Sequence, residues 1–374
     1  MSRVINIVAS FAYTTGLVHA AFFVRRTLLR RHGVYVLSYH HVVEDVHRRR
    51  SPHDVTVPQL DRHLAFVNRW FKVVGLGEVP ALLAGGPLDR DYLAVTFDDG
   101  YVDNHRHALP LLHRHGVPAT LFLIAGLAGS SELPWYDECR ARLPRLSAAS
   151  VDAAPPSLRR LLASLLSIVS AREPFEHRIG RALEVLKQAD HERRLDVVRY
   201  LRDRCARPPE GSLQRAGIRE AQESDDFRIM SWEQARDMSR HGVTVACHTM
   251  THPLLTRLSA AAIEYEVVAS KEAVEQQIGC PVDAFAYPNG EMDHRSADVL
   301  RRHGFRVACT QRFGANRPGA DPLAIKRIGL GRTSSKVLAA KLSGLFSPAY
   351  AVRDRWMHHR HAAAPLPEGS PVRG

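Results

Sequence analysis

From residue 34 to residue 328, short apolar runs alternate with stretches of helical spacing, and that alternation restricts the chain to very few folds. VYVLSYH (34–40) reads as a strand, VPQLDRHLAFVNRWF (57–71) as a helix and residues 93–97 as the next strand. Asp103 to His115 has helical spacing and stops at Gly116, ATLFLI (119–124) is a strand, SWEQARDMSRHG (231–242) is a Ser-capped helix ending in Gly, and VTVAC (243–247) is again a strand. A helix over 259–278, strand DAFAY (283–287), a helix from His294 to His303, strand RVACT (306–310) and a last strand near Ala324 to Ile328 complete the pattern. Strands separated by helices of about ten residues or more pair in parallel through right-handed crossovers, which predicts a doubly wound sheet or a β/α barrel. In both, functional groups collect at the carboxyl ends of the strands.

The 374 residues suffice for one main domain with additions. Between Asp137 and about Met230 the rhythm breaks into Leu- and Arg-rich stretches such as SLRRLLASLLSIVSA and HERRLDVVRYLRDRCA, amphipathic helices that read as an insertion (137–229) capping the site or forming a docking surface. The main domain is then 32–348, and the Pro-, Gly- and Ala-rich residues 349–374 are expected to be a disordered tail. Val4 to Val24 contains no Asp, Glu, Lys or Arg and is followed by Arg25, Arg26, Arg30 and Arg31, but Asn6, Ser10, Thr14, Thr15 and His19 dilute it. The favoured expectation for 1–31 is an amphipathic helix lying on a membrane or on the domain. A spanning anchor stays open, and a signal peptide fits least because the positive charges follow the apolar run. The localisation that follows is cytoplasmic or membrane-associated in a bacterium, with export the weaker option.

Fifty-one Lys and Arg against 39 Asp and Glu leave a net charge of +12, which favours anionic partners such as an acidic membrane surface. No nucleic-acid recognition motif accompanies the charge, so specific nucleic-acid binding is not expected. Cys139, Cys205, Cys247, Cys280 and Cys309 are odd in number and scattered, which argues against a disulfide scaffold and a thiolate zinc site.

YLAVTFDDGYVDN (92–104) sets two carboxylates at the end of an apolar strand and follows them with glycine. Alternation along a strand would point Asp98 and Asp99 to opposite faces, but Gly100 permits a sharp turn that lets both converge on one cavity. Two acids held that close stay ionised only beside a cation, so the pair asks for a metal; a solvated Asp-Asp-Gly turn is the other reading. ACHTMTHPLL places His248 and His252 four apart after a second strand, a spacing that suits one shared ion, though 21 histidines make chance pairs common. One Asp and two His with an open position is the donor set of a catalytic zinc. FAYPNGEMD (285–293) follows a third strand, and Pro288 and Gly290 shape a loop whose N–H groups can face an oxyanion or simply form a turn.

TFDDG, HTMTH and AYPNG, in that order and with SYHH ahead of them, resemble the polysaccharide deacetylases of the NodB-homology type over about residues 92–130 and 230–330. The resemblance implies a distorted parallel β/α barrel, here with a helical insertion, and metal-dependent removal of N- or O-acetyl groups from an acetylated polysaccharide or oligosaccharide. Carried over, Asp98 is the general base and Asp99, His248 and His252 hold a divalent metal, with zinc the first choice and cobalt and nickel suited to the same donors. The backbone N–H of Asn289 would meet the tetrahedral oxyanion.

Two departures stand out. The family's third motif usually carries an arginine two residues before the proline, where this chain has Ala286, and its late Leu-x-His motif has no counterpart, the nearest segment being AIKRIGL. That leaves the general acid open: a related branch that resembles the poly-N-acetylglucosamine deacetylases carries a Tyr-His pair where Tyr39 and His40 stand, so His40 is the candidate to fill or support that role, with a structural residue at the barrel rim as the other reading. Tyr101 and Pro288 are candidate substrate contacts, and Trp135 reads as a sugar platform or as packing beneath the insertion. A catalytically weakened barrel that binds glycan or partners is the alternative reading.

Overall fold

The computed structural model describes residues 2–45, 51, 53–205 and 228–348. The expected tail, 349–374, lies outside the described residues. Helices α1 (Ser2–Thr14) and α2 (Leu17–Phe23) precede β1 (Val34–Tyr39), then come β2 (Val42–Val43), β3 (Val55–Thr56), α3 (Val57–Trp70), β4 (Lys72–Val73), α4 (Val79–Ala84) and β5 (Tyr92–Phe97). The core continues through α5 (Leu109–His115) and β6 (Ala119–Leu123). It then leaves for α6 (Trp135–Arg142), α7 (Ala148–Asp152), α8 (Pro156–Val169), α9 (Phe175–Gln188) and α10 (His191–Arg204). It resumes with α11 (Trp232–Arg240), β7 (Val243–Cys247), α12 (Ala260–Ile278), β8 (Ala284–Ala286), α13 (His294–Arg302), β9 (Val307–Cys309), β10 (Ile328–Gly329) and α14 (Ser335–Ser343).

All pairings in the main sheet are parallel, in the order β10-β1-β5-β6-β7-β8-β9, with β4 lying against the first residues of β5. The sheet is a distorted β/α barrel, as the alternation and the resemblance led us to expect. Every residue of β1 and β6 is buried, because the helices cover one face and the interior fills the other. Closure falls to an irregular stretch: Ile325 pairs with β9, its N–H on Ala308 at 2.9 Å and its carbonyl accepting from Thr310 at 2.8 Å, and three residues later β10 pairs with β1. The expected strand at 324–328 is thus shifted to 328–329. Pro322 sits in the short helical turn Pro322–Ala324, and Asn316 takes both the N–H and the carbonyl of Lys326 with its side-chain amide, at 2.9 and 3.0 Å.

The helix expected from Asp103 opens with a π-turn (Asn104–Ala108) because Pro110 carries no N–H, and its ring would clash with the carbonyl four residues back. The helices from α6 to α10 hold their own apolar core around Leu162, Leu165, Leu186 and Leu201, joined to the barrel through Trp135 and Leu254. The amino-terminal segment is not one helix: Gly16, at φ 81°, breaks it, and Ala9, Ala12, Val18 and Phe22 pack into the barrel core itself. All five cysteines are free.

Leu121, fully buried at the centre of β6, reports on this core. Replacing it with alanine is expected to cost about 2–5 kcal/mol, read as a lowered urea unfolding midpoint at an unchanged slope.

Candidate functional site

Four left-handed residues gather at the carboxyl ends of three strands. Asp99 (φ 72°), Thr249 (φ 66°), His252 (φ 58°) and Asn289 (φ 58°) account for four of the five non-glycine residues with positive φ among the described residues. Each stores a strained backbone, and such strain persists only where surrounding bonds over-determine it. At Asp99 it does what the sequence posed as a problem: with Gly100 also left-handed (φ 89°), the chain reverses the alternation of the strand and both carboxylates enter the barrel mouth. At His252 the bonds are visible. Its N–H donates to Thr249 Oγ1 at 3.0 Å, Glu266 accepts the Met250 and Thr251 N–H groups at 2.8 and 3.0 Å, and Trp135 Nε1 donates to the His252 carbonyl at 3.1 Å.

Asp99, His248 and His252 are buried and offer one ligand atom each within 4.8 Å of one another. Asp99 Oδ1 lies 3.6 Å from His248 Nε2 and 3.5 Å from His252 Nε2. These separations are too long for hydrogen bonds but close to the edge of a tetrahedron with bonds of about 2.1 Å. His248 donates Nδ1–H to the Ala286 carbonyl at 2.7 Å, which leaves the Nε2 lone pair facing Asp99. Burial, then the charge of Asp98, pushes the Asp99 carboxyl up to about 8, while burial lowers both imidazoles, the pattern of a donor set arranged around a cation. The three residues therefore fit a divalent metal.

Asp98 has a different partner. Burial alone would raise its carboxyl, but the Arg327 guanidinium, bonded to both oxygens at 2.6 and 2.7 Å, holds it well below the usual range. Arg327 is fully enclosed and also donates to the Thr310 carbonyl and to Thr96 Oγ1. Gln311 Nε2 reaches Asp98 and Ser38 Oγ, both at 3.2 Å. His40 Nε2 stands 3.8 Å from Asp98, and burial holds that imidazole down to about 3, with the Asp98 charge opposing and Arg327 adding. Sequence reasoning missed Arg327. It stands beside Lys326 in AIKRIGL, where no local pattern marks it as the partner of a carboxylate.

The insertion reaches the site at two points. The Tyr136 hydroxyl interacts with the Asp99 carboxyl and opposes its rise, with the Tyr136 ring 5.0 Å from that of His252, and Lys187 Nζ bonds Asn289 Oδ1 at 2.9 Å. Tyr101 is enclosed beneath this contact: its ring stacks on His41 at 3.6 Å and its hydroxyl donates to Asp137 at 2.7 Å. Trp135 is buried, with Arg194 over its ring at 4.8 Å, so it packs under the insertion. Pro288 is buried, and Gly290 beside it admits no side chain, since a Cβ there would come within 2.2 Å of the Gln311 nitrogen.

Removing Arg327 alone should leave an uncompensated buried charge. Arg327→Gln is expected to lose about 3–5 kcal/mol of stability in urea unfolding, and Asp98→Asn in the same chain should recover part of it. His41 gives a second test. Burial opposes its charge, but Asp103, bonded at 2.7 Å, and the nearby Asp54 and Asp137 carboxylates raise it to about 9. A raised imidazole stabilises the fold fully below its unfolded value, about 6.5, and that contribution is lost as pH climbs through 9. The stability difference between the parent chain and His41→Asn should therefore shrink from pH 6 to pH 9.5, by on the order of 1–3 kcal/mol.

The model of the polysaccharide deacetylase family matches residues 85–164 and 219–308. No curated protein matches the sequence significantly. Among solved structures, IcaB from Ammonifex degensii is similar over 83% of this chain and 97% of its own, at 19% identity and a TM-score of 0.53. The Streptococcus pyogenes deacetylase PplD, in complex with acetate, is similar over 82% of this chain and 96% of its own, at 16% identity and a TM-score of 0.51. At these identities the two structures speak for the fold, and the matched family model speaks for the class. Residues 85–164 and 219–308 thus carry a polysaccharide deacetylase domain, and the chain is a hydrolase of the deacetylase class.

Proposed function

We propose that the protein is a metal-dependent deacetylase that removes acetyl groups, N-acetyl first among them, from an acetylated polysaccharide or its precursor. The observation that carries this reading is the spacing of Asp99, His248 and His252 around one point, with a second carboxylate, Asp98, in the same mouth. A divalent ion held by those three residues, zinc in this proposal, would polarise the acetyl carbonyl and acidify water.

The chain's own residues supply the rest. Asp98, fixed by Arg327, takes the proton from the attacking water. A carboxylate with so low a proton affinity gives that proton up readily, and His40, neutral and 3.8 Å away, is placed to receive it and return it to the leaving amine. The Asn289 N–H, on a loop locked by Pro288 and Gly290 and tied through its side chain to Lys187 and Glu291, would face the developing oxyanion. Pro288 shapes the floor against which the acetyl group rests. Tyr101 acts indirectly, by holding Asp137 beside Tyr136.

Acetate release from acetylated chitooligosaccharides and from poly-N-acetylglucosamine tests the proposal. Release should fall on stripping metal, return with zinc, and drop by at least ~10³ in Asp98→Asn. His40→Ala should lower turnover by about 10²-fold or more while leaving zinc binding intact; near-full turnover would remove His40 from the acid role. A protein that binds zinc and glycan but releases no acetate from any acetylated carbohydrate would point instead to the weakened, glycan-binding barrel.

A further inference from the structure

Eight of the ten exposed large hydrophobic side chains among the described residues fall between residues 7 and 29. They include Phe11, Phe23 and Leu28, at 63, 58 and 65% exposure, together with Ile7, Leu17 and Leu29. Such a concentration marks an interaction surface, whereas single exposed hydrophobics would not. The helices cannot bury these residues by rolling, because Ala9, Ala12, Val18 and Phe22 on their other face are already part of the barrel core.

Positive charge borders this apolar face. Arg25 and Arg26 grip Asp91, at 2.7 and 2.5 Å, and Arg30 and Arg31 follow in exposed positions. A cavity of about 300 Å³ opens beside them, lined by Arg26, His32, Arg69, Trp70, Lys72 and Arg90 along with Phe71 and Asp91. Arg26 Nη2 and His32 Nδ1 are buried there without a hydrogen-bond partner. Among the described residues, the ion pairs that these Arg and Lys side chains make go to two carboxylates, Asp91 and, through Arg90, Asp89.

We propose that α1, α2 and this basic cavity form a docking face for an anionic lipid bilayer, with the apolar side chains in the interface and the cations on lipid phosphates. An apolar helix face bordered by Arg and Lys is the composition of an interfacial helix. Among the described residues no single helix is long and apolar enough to cross a membrane, and the pair Asn6–Thr14 and Leu17–Leu28, long and apolar enough only when taken together, is bent by 74°. A second copy of the chain is a poor occupant, since a two-fold contact would set one basic cluster against the other. The cavity lies at the amino ends of β1 and β5, where Asp91 bonds the Gly33 N–H, and the Asp99, His248 and His252 cluster lies beyond the carboxyl ends of the strands. A strand of six residues spans about 20 Å, so the docked barrel would turn its mouth away from the lipid and receive polymer from the far side.

Flotation of the full chain with phosphatidylcholine vesicles, alone and mixed with phosphatidylglycerol, tests this. The chain should float with the mixed vesicles, bind them at least ~10-fold tighter than phosphatidylcholine alone, and weaken in high salt. A Phe11→Ser, Phe23→Ser, Leu28→Ser chain should lose binding to both, and Arg30→Gln with Arg31→Gln should lose only the preference for the anionic lipid, each melting like the parent. If the serine chain proves unstable, the arginine pair decides. Absence of flotation with mixed vesicles, flotation unchanged in the arginine pair or in a folded serine chain, or a dimer abolished by the serine substitutions with no vesicle binding, would overturn the proposal.

Discussion

The buried pair between Arg327 and Asp98 ties the fold to the site. Arg327 belongs to the irregular stretch that joins β9 to β1, and its guanidinium reaches inward across the barrel to the end of β5. Neither charge tolerates the interior alone. Together they neutralise each other, and the Thr310 carbonyl and Thr96 hydroxyl accept two further guanidinium N–H groups. The stretch that closes the barrel therefore also sets the orientation and proton affinity of the carboxylate next to Asp99. Asp99, one residue on, is turned by its left-handed backbone toward the two histidines.

The helical insertion belongs to this site as much as the barrel does. It has its own apolar core, yet its first helix contributes Tyr136 to Asp99 and Trp135 to the His252 backbone, and its fourth contributes Lys187 to the Asn289 loop. Strain at His252 and Asn289 is maintained partly from outside the barrel. Part of what surrounds the candidate site is therefore supplied by the least barrel-like part of the chain.

At the other end of the strands the amino-terminal helices serve two environments at once. One face completes the barrel core and the other is apolar and exposed, with arginines following directly in sequence. Parallel strands give the molecule a polarity, so a surface at their amino ends and a reaction centre at their carboxyl ends are held apart by the sheet itself.

The sequence by itself determined the layers and singled out candidate donors. Alternating apolar runs and helical spans specify parallel strands because period and length are local properties, and Asp98, Asp99, His248 and His252 were picked out by their place at or just beyond strand ends together with the resemblance that TFDDG and HTMTH carry. The tertiary structure alone decided what those residues face. Arg327 lies 229 positions from Asp98, and no local pattern links an arginine in AIKRIGL to a carboxylate in TFDDG; only closure of the barrel brings them together. The break at Gly16, the shift of the last strand to 328–329 and the enclosure of Tyr101 beneath Asp137 have the same origin. Each depends on packing between segments distant in sequence, where propensity is weak and the competing contacts decide.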